Sequence, residues 1–299
     1  MAEKRQNNKT TAKDVAREAG VSVATVSYVL NGRTDQKISP ETKKKIMQIA
    51  NLMNYVPSHA AKSLATGLNN AIGISYHMTA SPTRDARVMQ FVNMLIARLN
   101  RMRYDVTFVP PRKEEETLFV NRNIDAVIAI DLNHEDFRAL ADNYLVPVIC
   151  VDMRVNDELF YQIYEDVPFL LDKALVELGS PKESFFLYDR FENADYEQFI
   201  LQEKPGVFPL RSSELGEAFE KKLRGAEVVV FGSFLALKVL PVIDADKICV
   251  IAPESERALL PKGIRFVADN SEKKANLTMN IVMNALKRNF DILHDQKVR

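Results

Sequence analysis

Cysteine is scarce in this chain: two in 299 residues, Cys150 and Cys249, each inside an apolar run, PVICVD and KICVIA. Such placement reads as two buried thiols and argues against a disulfide framework or a thiolate metal site. The four histidines are scattered without ligand spacing, so no metal and no cofactor is expected. The glycine signatures of phosphate and nucleophile loops, G-x-G-x-x-G, the P-loop and G-x-S-x-G, are missing. The acids near His77 have no triad-like spacing, and the chain is read as a non-enzyme. No run approaches the ~18 apolar residues that a membrane helix needs. The opening MAEKRQNNKTT lacks the apolar stretch of a signal peptide. The expectation is a cytoplasmic protein with no membrane partner, nucleoid-associated when bound, with residues 1–9 as a flexible polar arm.

Net charge is missing too, at 40 Lys+Arg against 40 Asp+Glu, but the balance hides an asymmetry. Residues 1–69 hold 11 basic against 5 acidic side chains, and residues 70–299 hold 29 against 35. A basic head on an acidic body is expected when only one domain meets phosphates.

The head has the pattern of a helix-turn-helix. Thr11 can cap a first helix, with Asp14 as its reciprocal partner. Val15, Ala16 and Ala19 fall on one face, and Ala16 is small where a second helix must cross. Gly20 stands where the chain turns and a left-handed backbone is expected. Ser22 caps the next helix, whose Val26, Val29 and Leu30 return to the core. That leaves Val23, Ala24, Thr25, Ser27 and Tyr28 outward, on the half of the helix that enters a major groove in this motif. Ser39-Pro40 opens a third helix with an apolar stripe of Ile46, Ile49, Ala50 and Met53. A nine-residue helix over Ser58–Thr66 would be marginal alone, so folding coupled to binding is plausible there.

Residues 70–299 alternate strand and helix patterns. Strand patterns at Ala71–Tyr76, Asp105–Val109, Ala126–Ile130 and Val148–Asp152 enclose helices at Arg84–Arg101 and His134–Asn143. A second set runs Tyr161–Glu165, Ser184–Asp189, Glu227–Phe231, Lys247–Ile251 and Ile264–Ala268. Its helices fall near Pro168–Leu178, Ser212–Leu223, Ser233–Leu240 and Ser271–Lys287. Short apolar strands between helices imply parallel α/β sheets covered on both faces, and two sets imply two lobes. Ligands of such folds sit at the carboxyl ends of strands. Candidates there are His77, Asp131, Asp152, Arg154, Asp189, Arg190, Asp195, Ser233 and Glu254.

The blocks AKDVAREAGVSVATVSYVLNG, SPETKKKI, NYVPSHAAKSLATG and AIGIS closely resemble the LacI/GalR family of bacterial transcription regulators. The resemblance implies a headpiece at 10–57, a hinge helix and linker at 58–69, and a two-lobed periplasmic-binding-protein-like effector and dimerisation domain at 70–299. Lobe 1 would hold about 70–158 plus 269–299, and lobe 2 about 159–268. It implies a homodimeric repressor on a palindromic operator. Val23, Ala24 and Tyr28 would contact bases, and Leu64 would wedge into the minor groove. Thr11, Ser22, Thr25, Ser27, Asn31 and Tyr55 would contact the backbone. Between Asn31 and Ser39 the loop is about two residues longer than the family spacing, judged on the same blocks. Arg33 and Lys37 either add phosphate contacts there or belong to a solvated loop.

LDKALVELG and FLALKVL match family helices of the body, but the ligand anchors differ. Gly232-Ser233 replaces an Asn-Asp pair, Asp195 an Arg, and Ala252-Pro253-Glu254-Ser255 a Gly-Phe-Asp-Asp turn. The chain also ends soon after the Ser271–Lys287 helix, so the closing strands of the family are expected to be absent. The input is therefore either a small molecule between the lobes or a protein partner acting on a body whose pocket has degenerated.

Overall fold

The computed structural model describes residues 10–30, 36–55, 68–111, 123–217, 221, 223–289, 291 and 293–299. The chain divides into two compact units, Met1–Asn69 and Asn70–Arg299.

The first unit is built on helices α1 (Ala12–Ala19), α2 (Val23–Leu30) and α3 (Pro40–Leu52). The Thr11 N–H donates to the Asp14 carboxylate at 3.0 Å, which ties down one of the orphan donors at the start of α1. Gly20 adopts φ 69°, ψ 34°, and the Val21 N–H reaches back to the Ala16 carbonyl at 3.0 Å. A side chain at that left-handed position would cost roughly 1–2 kcal/mol. Ser22 accepts from the Thr25 N–H at 3.0 Å, and Ser39 accepts from the Thr42 N–H at 3.1 Å. Val15, Ala16, Ala19, Val26, Ile46 and Ala50 form the core of this unit. The arm at 1–9, Asn31, Arg33 and residues 56–67, Leu64 among them, lie outside the described residues.

The second unit holds two parallel sheets. The first contains β1 (Ala71–Ser75), β2 (Asp105–Phe108), β3 (Ala126–Ile130), β4 (Val148–Val151), β5 (Tyr161–Glu165) and β11 (Asp295–Val298), in the order β11-β5-β4-β3-β1-β2. Helices α4 (Pro82–Arg101) and α9 (Ser271–Leu286) cover one face, and α5 (His134–Asn143) covers the other. The second sheet contains β6 (Ser184–Tyr188), β7 (Val207–Arg211), β8 (Val228–Phe231), β9 (Ile248–Ala252) and β10 (Arg265–Ala268), in the order β10-β9-β8-β6-β7. Helices α6 (Val167–Glu177) and α7 (Ala194–Ile200) pack on one side of it, and α8 (Ser233–Val239) on the other. Strands β3, β4, β8 and β9 are buried along their whole length. Double burial is why their sequences are continuous apolar runs and not alternating ones.

Three expectations are corrected here. Tyr161–Glu165 pairs with β4 in the first sheet, so lobe 1 runs through Glu165 and the boundary expected near residue 159 lies later. No helix separates β4 from β5, and strand patterning alone does not reveal which sheet a strand joins. A closing strand is present: Asp295–Val298 pairs parallel with β5. Its DQKV sequence is polar because β11 is an edge strand with only Val298 buried. The helix expected at Ser212–Leu223 begins later than expected: Ser212–Glu214 form a short 3-10 turn, and Glu217, Lys221 and Leu223 are helical. Strand β7 carries Pro209, a residue tolerated on sheet edges, and this masked it as a strand.

Candidate DNA-reading face and interlobe cleft

Val23, Ala24 and Ser27 are exposed on α2, and Tyr28 is half-buried beside them. Positions i, i+1, i+4 and i+5 share one side of a helix, opposite the buried Val26. Val23 is 42% exposed, an apolar side chain held in solvent by a fold that has a core available to it. Val23 and Ala24 cannot hydrogen-bond base edges and can only meet thymine methyls or fit shape. Thr11 and Ser22 are exposed at the starts of α1 and α2, Thr25 is half-buried behind Ser22, and Tyr55 packs against the core. Asn31 and Leu64 lie outside the described residues.

In the body, each sheet reverses its strand order once, between β1 and β3 and between β6 and β8. Such switch points open crevices at the carboxyl ends of strands. Asp131, just after β3, is buried with φ 45°. Its carboxylate takes a bond from Arg84 at 2.7 Å and two from the backbone N–H groups of Glu192 and Asn193, at 2.9 and 3.1 Å. Asp189, just after β6, accepts from the hydroxyls of Ser81, Thr83 and Ser212 at 2.9, 2.8 and 2.5 Å. Both carboxylates therefore bond across the two lobes. The Arg154 N–H adds a third crossing, to the Asn193 side-chain oxygen at 2.9 Å.

Deeper in, the Lys274 ammonium of α9 bonds Asp152 at 2.7 and 2.9 Å and lies 3.9 Å from Glu165. Burial disfavours the Lys274 charge, but Asp152 and Glu165 outweigh it and raise its pKa. Burial, with Asp269 adding to it, pushes the Glu165 carboxyl up to about 8. Burial likewise raises Asp269, and it lifts Asp131 to about 6 against the pull of Arg84. The cavity left among these groups measures about 30 Å³. That is room for about one water and not for a sugar.

The other candidates are dispersed. His77 Nε2 stands 2.9 Å from an Asp136 carboxylate oxygen, and Arg190 is exposed. Ser233 is buried and donates to Glu256, whereas Glu254 is exposed beside Arg257. Asp195 lies on the wall of a separate groove of about 910 Å³, with Arg154 and Phe199. The cleft expected from sequence thus gathers Asp131, Asp152, Asp189 and Ser233, while Asp195 and Glu254 stand elsewhere.

Residues 11–58 match the family described as bacterial regulatory proteins, lacI family. That match covers the helix-turn-helix unit and the residues just after it. Catabolite control protein A of Staphylococcus xylosus is 27% identical over 189 residues, which cover 58% of this chain and 54% of that protein. The chain thus spans about half the length of that relative. The S. aureus (strain MRSA252) protein of the same name is 23% identical over 305 residues, covering 94% of this chain and 88% of its own length. Among solved structures, a lac repressor bound to ONPG in the repressed state matches with a TM-score of 0.65 at 16% identity, covering 97% of each chain. A cellobiose complex of the transcriptional regulator CelR matches with a TM-score of 0.54 at 15% identity, also covering 97% of each chain. At these identities the structural likeness establishes the fold. Residues 11–58 thus resemble the DNA-binding unit of bacterial regulators, and the body shares the fold of these structures. Among the described residues, no helix is long and apolar enough to cross a membrane.

In the body, the sequence alone does not point to Arg84, Arg87, Glu165, Asn193, Glu256 and Lys274. One signal was available for Lys274. It stands in the buried stripe of α9 with Ala275, Thr278, Ile281 and Val282, where a lysine needs a carboxylate.

The buried acids also set a pH dependence. A carboxyl whose pKa is raised by folding contributes stability that is complete below its unfolded value and is lost as pH rises through its folded value. For Glu165 that window runs from 4.5 to about 8, with Asp152, Asp269 and Lys274 as its charged neighbours. The melting temperature of the body should fall between pH 5 and pH 8.5, and Glu165→Gln should flatten the fall. A melting temperature that rises over this range contradicts the assignment.

Proposed function

We propose that the chain is a homodimeric repressor that binds a roughly palindromic operator, one headpiece to each half-site. The capped α1–Gly20–α2 unit carries this reading, because it holds Val23, Ala24 and Tyr28 on a face turned away from a packed core. In this reading those three residues touch bases, and Thr11, Ser22, Thr25, Ser27, Asn31 and Tyr55 set register on the phosphates. Residues 58–69 form the hinge and linker, with Leu64 as the wedge at the operator centre. Residues 70–299 dimerise and receive the signal.

Selection from random duplexes at moderate salt tests the reading: a two-fold symmetric sequence should be enriched, and none enriched would end it. Tyr28→Arg should shift preference toward guanine at one position of each half-site. A bidentate contact of that kind is worth about 1–3 kcal/mol, or roughly 5- to 150-fold in relative affinity. Unchanged selection results with the variant would remove Tyr28 from the reading face.

The signal itself has two readings. A small molecule between the lobes must first separate the bonds that join Asp131 and Asp189 to the opposite lobe. The small, self-bonded cavity favours the second reading, a dimerisation and protein-partner module with a degenerate pocket. Thermal-shift screening of sugars, nucleosides and amines beside a partner pull-down separates them, and clear stabilisation by a small molecule would sink the second.

A further inference from the structure

The cleft is filled by a side chain that behaves like a ligand. Arg87, on α4 of lobe 1, places its guanidinium carbon 4.6 Å from the Phe191 ring centroid and 4.8 Å from that of Phe231, both in lobe 2. The two rings are buried, with centroids 6.1 Å apart. Behind them Gly232 keeps φ 111°, and a side chain there would meet the Arg87 stem at 3.7 Å. Asp131 and Glu256 lie close enough to act electrostatically on the charge. The Arg87 Nε and Nη2 atoms are enclosed and have no hydrogen-bond partner. Its attraction here comes from ring faces and nearby carboxylates and not from a fork of hydrogen bonds at Nε and Nη2.

We propose that Phe191, Phe231, Gly232 and Glu256 form a planar-cation site in lobe 2, and that Arg87 occupies it as a tethered ligand that holds the lobes closed. The chemistry selects the guanidinium class. A guanidinium seated in the angle between two tilted rings is within reach of both, and desolvated contacts of this kind are the strong ones. A neutral isostere of the same shape lacks the charge that the rings and carboxylates attract. Tethering gives Arg87 an effective concentration in the millimolar range or above, so a dilute guanidinium compound does not displace it from the intact chain. The two unpaired nitrogens offset part of that advantage, because their N–H groups regain water when the lobes part. Closure is then a property of the chain itself, and an opening signal acts against Arg87. The consequence for DNA affinity rests on the repressor reading above; the site does not.

The test uses the full chain with Arg87→Ala. Removing the tethered ligand should lower the melting temperature of the body by roughly 4–8 °C and enlarge its radius of gyration in solution scattering. N-ethylguanidinium at millimolar concentration should restore part of both, and N-ethylurea should restore neither. Adding Phe231→Leu should remove the rescue. Equal rescue by N-ethylurea, or none by N-ethylguanidinium, overturns the site. Should Arg87→Ala not fold, Arg87→Met keeps the apolar stem and loses the cation. An unchanged scattering profile and melting temperature in that variant also overturn the proposal. Operator binding by the wild-type chain, measured separately, reports on the repressor reading alone.

Discussion

Lys274→Met should lower the melting temperature of the body by about 10 °C at pH 8.5, and by less at pH 6. The substitution keeps the length of the side chain but leaves Asp152, Glu165 and Asp269 facing one another without their cation. Breaking a buried ion pair by removing one partner costs about 3–5 kcal/mol, since the remaining charge stays desolvated. In a body of this size each kcal/mol moves the midpoint by roughly 2–4 °C. The pH sense follows from Glu165, which burial already pushes up to about 8. At pH 6 it holds its proton and needs no cation, so the loss is partial. Asp152→Asn in the Lys274→Met background should recover part of the stability. A loss equal at both pH values would show that the lysine stem, and not its charge, matters.

Val26→Asp should abolish operator binding, with a fall of 100-fold or more, while leaving the melting transition of the body in place. Val26 is fully buried among Val15, Ala19, Ile46 and Ala50. An unpaired carboxylate there must either be neutralised or expelled, at a cost of several kcal/mol. A unit of fewer than 70 residues has little stability to lose. Gel-shift titration and calorimetry together check this. Retained operator affinity would mean that α2 does not need its core side to present its reading side.

The headpiece was largely legible because its information is local. Caps at Thr11, Ser22 and Ser39, the left-handed Gly20 and a 3.6-residue stripe all lie within a few residues of the structure they specify. The buried strands were legible for the same reason, as short apolar runs between helices. What escaped depends on distant partners. Strands β7 and β11 are edges, where one side of the ladder faces no strand and the sequence need not be apolar. The sheet that β5 joins is decided by β4 and β11 on either side of it. In the cleft, Asp131 and Asp189 announce themselves as polar residues after apolar strands. The groups that satisfy them, Arg84, Ser81, Thr83 and the Glu192–Asn193 backbone, come from other elements and carry no mark of their purpose in one dimension. Arg87 is the clearest case, since nothing in RDARVMQF tells that its guanidinium will rest against two phenylalanines from the other lobe.

The two cysteines close inside the sheets, Cys150 on β4 and Cys249 on β9, and burial keeps the Cys249 thiol protonated up to about 12 and shifts Cys150 further the same way. Since the thiolate is the reactive form, neither sulfur competes for a maleimide at neutral pH. The native chain can therefore carry one new surface cysteine on each lobe without first losing its own. Distances between a pair of such labels would follow the opening and closing of the lobes in real time, on the unaltered cleft.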